Sequence, residues 1–263
     1  MGDDEKLVML RDGAVATIVF NNPARHNAVS LAMWERMLHL LADLRADDEV
    51  RVLVLSGAGG KAFVSGADIS KFESERAGRE ATERYNATSG QVYEELAAFP
   101  KPTVAKISGF CLGGGVNLAV CCDLRIATAG SRFGVPAARL GVGYGYDAVQ
   151  RLASVVGLST ALDLLYTARH VPADEALALG LVNRVVPTDD LDAEVHELAD
   201  TIARHAPLTI AAVKAAAVQL RRPEAERNTA AIDALVSACF ASTDYTEGRI
   251  AFTEKRSPRF TGQ

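Results

Sequence analysis

The chain has 263 residues, 49% of them apolar and 23% charged, which is the composition of an ordinary soluble protein able to bury a large core. Its net charge of −5 excludes a broad nucleic-acid-binding surface, so any acidic ligand must rely on local basic residues. The four cysteines, Cys111, Cys121, Cys122 and Cys239, show no paired C-x-x-C spacing, which speaks against a metal site or a disulfide framework and for a reduced, cytoplasmic setting. Residues 1–10 are too polar for a signal peptide, and no apolar run approaches the roughly 18 residues of a membrane span.

In chain order, the alternating segments 7–10 and 14–20 flank Asp12-Gly13 and predict a β-hairpin. Asn21-Asn22-Pro23 ends it and opens a polar loop through Val29, after which Ser30 can cap a helix with apolar positions Leu31, Trp34, Met37, Leu38 and Leu41. Residues 52–56 read as a buried strand, followed by Gly57-Ala58-Gly59-Gly60 and then Ala62-Phe63-Val64-Ser65-Gly66-Ala67-Asp68-Ile69. The charged stretch 70–99 is helix-compatible, with a sparse apolar face of Tyr85, Val92, Leu96 and Phe99, until Pro100-Lys101-Pro102 breaks it. A strand is predicted at 103–107, an apolar helix at 116–122 and a short strand at 123–128. Beyond Asp147, helices are predicted at 148–156, 160–167, 173–179, 191–205, 209–220 and 223–242, with one strand at 182–186. A strand-rich first part and a helical last third predict an α/β core, residues 1–190, with a helical appendage, residues 191–263.

The most informative stretch is Gly109-Phe110-Cys111-Leu112-Gly113-Gly114-Gly115, which joins the strand at 103–107 to the helix at 116–122. Glycines at the mouth of a helix permit φ > 0 and close backbone approach, and the unpaired N–H groups of the first turn favour a negative charge. The spacing excludes a P-loop and a dinucleotide fingerprint. The strand at 52–56 runs into a second glycine turn, so two such units can each offer one N–H to a single oxygen, as an oxyanion hole requires. Close helix–strand packing is the other use such glycines have.

These two stretches resemble the crotonase (enoyl-CoA hydratase/isomerase) superfamily. The likeness extends to Asn21-Asn22-Pro23, Asn27-Ala28, Cys122-Asp123-Leu124-Arg125-Ile126-Ala127, Gly180-Leu181-Val182-Asn183 and Ala251-Phe252-Thr253-Glu254-Lys255-Arg256. The resemblance implies a crotonase-like ββα superhelix core with a helical C-terminal trimerisation region, and assembly as a homotrimer or a dimer of trimers. It implies an acyl-CoA substrate, coenzyme A entering as part of the thioester with no permanently bound cofactor, and no metal, membrane or nucleic-acid partner. By the same resemblance the backbone N–H groups of Ala67 and Gly114 form the oxyanion hole. Coenzyme A would meet Arg25, Asn27, Ala28, Ser65, Ala67, Asp68 and Ile69, together with Phe252 and Lys255 from a neighbouring subunit.

The chain departs from the hydratase pattern at the acyl pocket. Hydratases of this superfamily hold water with two glutamates, and the matching positions here are Asn117 and Ala137. A third acid, used by dienoyl-CoA isomerase-like and dehalogenase-like members, falls on Gly145. An amide or a methyl group cannot exchange protons near neutral pH, so efficient hydration is not expected. Leu140-Gly141-Val142-Gly143-Tyr144 resembles a loop of methylmalonyl-CoA decarboxylase-like members, although those keep an acid where Asn117 stands. Tyr144 and Asp147 are therefore the catalytic candidates, with Tyr146 as a further pocket wall and Arg139 as a group that can face a substrate carboxylate. Asp147 also suits an N-cap for a helix starting at Ala148. The expected activity is enolate-forming decarboxylation or isomerisation of an acyl-CoA. The alternatives are an acyl-CoA-binding protein without catalysis and a weak enoyl-CoA hydratase.

Overall fold

The structure is a computed structural model that describes residues 3–68, 71 and 78–263. Strands β1 (Leu7–Asp12) and β2 (Val15–Phe20) form the expected antiparallel hairpin, in register from Leu7 opposite Phe20 to Asp12 opposite Val15. Ala16, Ile18 and Phe20 are buried and their neighbours half-buried, the period of two that a pleated strand imposes. Helix α1 (Leu31–Ala46) starts where Ser30 Oγ accepts a hydrogen bond from Met33 N, and it buries Met33, Trp34, Met37, Leu40, Leu41 and Leu44 along one stripe.

From β2 onward the main sheet is parallel: β3 (Val52–Gly57), β5 (Thr103–Ile107), β7 (Leu124–Thr128) and β10 (Arg184–Val186) complete the order β1-β2-β3-β5-β7-β10. A second, four-stranded sheet is built from β4 (Ala62–Val64), β6 (Phe110–Leu112), β8 (Arg132–Gly134) and β9 (Val171–Pro172). Three strands of the first sheet are each followed by a short strand of the second, β3 by β4, β5 by β6 and β7 by β8. After β6 and β8 the chain enters helix α3 (Gly114–Cys121) and helix α4 (Ala137–Leu140), the ββα succession of the expected superhelix. Helix α2 (Arg79–Ala97) lies between β4 and β5 in the chain, and α5 (Tyr146–Val156), α6 (Leu158–Thr167) and α7 (Ala173–Ala178) follow α4.

The central strands are apolar at every position because both faces of the sheet are covered. In β3, Leu53 and Leu55 join the main core with α1, α2 and α3, while Val52 and Val54 join Val104 and Ile126 against Leu191, Val195, Ala199 and Ala203 of α8 (Leu191–Arg204). The first helix beyond residue 190 thus packs on the sheet. Next come α9 (Pro207–Leu220), α10 (Thr229–Ala241) and α11 (Thr243–Glu254). The helix predicted over 223–242 starts later, at Thr229, because Asn228 Oδ1 accepts from Ala231 N at 3.0 Å and caps it there.

This last unit is tied to the core by polar links. Lys214 Nζ lies 2.6 Å from both carboxylate oxygens of Asp123, which also accepts from Thr103 N and Oγ1. Arg51 donates to Ala203 O and Phe260 O, and Asp244 accepts from Thr261 N and Gly262 N. Even so, α10 buries no residue, and α9, α10 and α11 enclose an open apolar groove of about 860 Å³. Val213, Phe240 and Phe252 stand 66%, 64% and 86% exposed along it. Among the described residues no helix is long and apolar enough to cross a membrane.

Candidate active site

The two glycine turns meet. Ala67 forms a lone parallel bridge with Val29, in which Val29 N donates to Gly66 O at 2.9 Å and Asp68 N donates to Val29 O at 3.1 Å. Those bonds use the groups on either side of Ala67 and leave its own N–H turned away from residue 29. Gly114 N opens α3, where no intrahelical acceptor is available to it. Among the described residues neither N–H has a hydrogen-bond partner. The approach needs glycine: Gly66 has φ 105°, and a Cβ on it would stand 3.6 Å from Gly114 N. A Cβ on Gly115 would stand 2.0 Å from Val64 O, so β4 and α3 can touch only through bare backbone. Gly113 N donates to Gly134 O at 2.8 Å and fixes the turn to β8.

Around this point stand two phenols, an amide and a guanidinium. Tyr93 of α2 places its hydroxyl 2.9 Å from where a Cβ on Gly114 would be, with its ring edge-on to Trp34 at 5.3 Å. Trp34 Nε1 donates to the Tyr85 hydroxyl, which donates to Val29 O, linking α1 and α2 to the Val29–Ala67 bridge. Arg151 of α5 sets its guanidinium carbon 5.6 Å from the centre of the Tyr93 ring and donates from Nε to Asn117 Oδ1 at 3.2 Å. The Tyr144 hydroxyl is closed off from solvent and, among the described residues, has no hydrogen-bond partner. Burial pushes the Tyr144 phenol well above its ordinary range, against the opposing charge of Arg151. Burial likewise raises Tyr93, reinforced by Tyr85 and Tyr144, so both phenols stay protonated at neutral pH.

The other expected site residues divide. Ala67, Gly114, Asn117 and Tyr144 belong to the arrangement just described, and Ala137, the first residue of α4, packs half-buried against the main core. Arg25 is exposed at the end of the short 3-10 turn Pro23–Arg25, and Ser65 Oγ donates to its carbonyl at 3.4 Å. Ala28 and Asp68 are buried, and Ile69 lies outside the described residues. Asn27 is fully buried with its side chain committed inside the protein: Nδ2 donates to Ala58 O and Ala62 O, and Oδ1 accepts from Asn22 N. Its role is to brace the loop against β4, which leaves no side-chain donor for a ligand.

Asp147 is exposed in the first turn of α5, whose N-cap is Gly145, so the expected capping role is corrected. Tyr146 is 77% exposed on an outer surface beside Val149 and Leu158. Arg139 is exposed on α4. Phe252 faces the C-terminal groove, and Lys255 caps α11 in the left-handed region at φ 55°. Tyr93 and Arg151 were not among the expected site residues. Arg151 carried a signal, being the sole charged residue from Ala148 to Leu162 in an otherwise uncharged helical run.

Two glycine turns that meet, each beside a backbone N–H with no partner among the described residues, and two neutral phenols nearby are the features of this site. Residues 11–263 match the sequence model of the Enoyl-CoA hydratase/isomerase family. The chain is 36% identical over 256 residues to the crotonyl-CoA hydratase of Syntrophomonas wolfei, covering 97% of this chain and 98% of that one. It is 34% identical over 252 residues to the short-chain-enoyl-CoA hydratase of Clostridium acetobutylicum, covering 95% of each. The crystal structure of an enoyl-CoA hydratase/carnithine racemase from Magnetospirillum magneticum matches with a TM-score of 0.90 at 38% identity, over 98% of this chain and 96% of that one. The chain therefore belongs to the enoyl-CoA hydratase/isomerase family and has the crotonase fold. Among the described residues no group of histidine, cysteine, aspartate or glutamate side chains is arranged to hold a metal ion.

Proposed function

We propose that the protein binds an acyl-CoA thioester with its carbonyl oxygen between the N–H groups of Ala67 and Gly114, and that it stabilises the enolate formed there. The observation that carries this reading is the meeting of the Gly66 and Gly114 turns with both N–H groups unpaired. Each donor aimed at a developing oxyanion lowers the barrier by about 3 kcal/mol. With Asn117 and Ala137 where hydratases of the superfamily carry glutamates, water is not activated efficiently; general acid–base catalysis typically contributes about 10²–10⁴-fold.

Chemistry that reaches the enolate without a general base suits the site better. In decarboxylation the bond from Cα to the carboxylate breaks, CO₂ leaves, and the electron pair enters the enolate held by the two N–H groups. Cα then takes a proton from the Tyr144 phenol, and the tyrosinate left behind is reprotonated by water admitted as the product leaves. Isomerisation of an enoyl-CoA passes through the same enolate but needs a base to take the first proton, so decarboxylation is the better fit to a site with Asn117 and Ala137 at the acid positions. Incubating the protein with crotonyl-, 3-enoyl-, dienoyl- and malonyl-type CoA esters, read by mass spectrometry, tests this. Efficient crotonyl-CoA hydration, with kcat/KM on the order of 10⁴ M⁻¹s⁻¹ or above, would overturn it.

The assembly belongs to the same proposal. The exposed apolar groove of α9, α10 and α11 supports a trimer or a dimer of trimers, with Phe252 and Lys255 reaching the adenine end of coenzyme A in a neighbouring subunit. Light scattering that shows a stable monomer with normal acyl-CoA binding would remove this part. Lys255→Glu is expected to weaken acyl-CoA binding through like-charge repulsion while the assembly persists.

A further inference from the structure

Among the described residues Arg151 is a cation without an anion. Its Nε is satisfied by a neutral amide, Asn117 Oδ1, and among the described residues no carboxylate pairs with it and its two terminal nitrogens make no hydrogen bond within the protein. A guanidinium has five N–H donors in a rigid fork shaped for a carboxylate, so most of its binding capacity is left unused here.

Its position is specific. Asn117 lies on α3 three residues after Gly114, hence one helical turn from the oxyanion hole and on the same face. The guanidinium also packs over Tyr93, whose hydroxyl is the side-chain atom nearest to Gly114 on that side. The Tyr144 hydroxyl is buried with no partner among the described residues and offers a further donor. Where hydratases of the superfamily carry a glutamate at the position of Asn117, the same arginine would face that carboxylate. The amide leaves the positive charge without a carboxylate partner among the described residues, one helical turn from Gly114.

We propose that Arg151 is the carboxylate-reading residue of the acyl site, so that this chain takes a short acyl-CoA whose acyl group itself carries a free carboxylate. This assignment rests on the acyl-CoA reading above and narrows its substrate class. Arg139, exposed on α4, has no comparable link to the hole, whereas Arg151 is joined to it through Asn117 and Tyr93. A carboxylate on the α-carbon and one at the end of a four- or five-carbon chain offer the same chemistry to the guanidinium, and they differ only in reach.

Calorimetry on the intact protein separates the cases, using butyryl-CoA as the neutral reference against malonyl-, succinyl- and glutaryl-CoA. Because every ligand carries the same coenzyme A, the affinity ratio isolates the acyl carboxylate. At least one carboxylated ester is expected to bind about tenfold or more tightly than butyryl-CoA, the size of a hydrogen-bonded charge contact. The preferred ester reports where the carboxylate sits. In Arg151→Met the ratio is expected to fall to near one, in Arg151→Lys to be partly retained, and in the unaltered protein to shrink as salt is raised. A ratio near one in the unaltered protein, or one that survives Arg151→Met, overturns the assignment and leaves the acyl-CoA reading standing. Failure of the neutral and the carboxylated esters alike to bind overturns both. The unaltered protein's ratio and its salt dependence decide the matter even if the variants do not fold.

Discussion

Gly66 and Gly114, 48 residues apart in the chain, approach so closely that a methyl group on the first would stand 3.6 Å from the amide nitrogen of the second. On the proposed acyl-CoA reading the chemistry depends on that approach, because Ala67, one residue beyond Gly66, and Gly114, which opens α3, carry the two N–H groups assigned to the thioester oxygen. The contact rests on Gly115, whose missing side chain lets Val64 O lie against the helix.

Gly115→Ala is accordingly expected to disrupt both stability and site. The added methyl would meet a backbone carbonyl at 2.0 Å, and relief requires β4 or α3 to move. Overpacking of this kind costs about 1–3 kcal/mol and occasionally more. Urea denaturation should show the lower midpoint, and turnover of the preferred acyl-CoA should fall further than the loss of folded protein explains. A variant of unchanged stability and activity would mean that the two turns are not in contact.

Lys214→Met tests the anchor of the C-terminal helices. Lys214 is buried with its Nζ 2.6 Å from both oxygens of Asp123, and its removal leaves that carboxylate with only Thr103 as a partner. Breaking a buried pair from one side typically costs about 3–5 kcal/mol, and the partial exposure of Asp123 places the expectation near the lower end. Thermal unfolding of Lys214→Met beside the double variant with Asp123→Asn checks it, since the second change removes the stranded charge and should recover part of the loss.

How much of this was legible in the sequence depends on the range of the interactions. The Asp12-Gly13 hairpin, the Ser30 cap and the stripe of α1 are local, and they appear as read. The glycine turns were legible because both need residues without a Cβ. The second sheet was not, since β4, β6 and β8 are three residues each and exist only by pairing with one another. The amphipathic spacing of Leu191, Val195, Ala199 and Ala203 announced a helix without saying that it covers the main sheet. Asn27 is a coenzyme A candidate through the family resemblance, and only the fold reveals that its side-chain donors point inward. Tyr93 and Arg151 meet Asn117 and Gly114 from helices 58 residues apart, a juxtaposition that no local pattern encodes.

Tyr144→Phe is expected to separate chemistry from stability. Its hydroxyl is buried without a partner, so removing it should leave stability at neutral pH unchanged or raise it by about 1 kcal/mol. Loss of the proton donor should lower turnover by about 10²-fold or more. Because the folded-state phenol titrates above the unfolded value near 10, the unfolded chain releases this proton first as pH rises. Stability from this group is therefore complete below about pH 9 and declines above about pH 10. The thiol of Cys121, raised by burial to about 11, adds to the same alkaline limb from near pH 9. Denaturation curves across pH 7–11 should show a shallower decline for Tyr144→Phe, and an equal slope would remove the buried phenol from the account.

Asn117→Glu with Ala137→Glu should convert the site toward hydration, and the structure predicts how. A glutamate at 117 would extend from one turn beyond the oxyanion hole toward Arg151 Nε, which now donates to the amide at 3.2 Å. The guanidinium would hold that carboxylate ionised, as an opposite charge within hydrogen-bond reach does. A second glutamate at 137 would stand at the start of α4, half-buried against the core that carries Tyr144. With the backbone donors untouched, crotonyl-CoA hydration should rise by about 10²-fold or more in the double variant and by much less in either single one, because the two carboxylates act on one water. The new glutamate would also occupy Arg151, so any preference for carboxylated acyl groups should disappear in the same protein. Hydration that stays at the level of the unaltered chain, with acyl-CoA binding intact, would show that more than these two side chains separates this site from a hydratase.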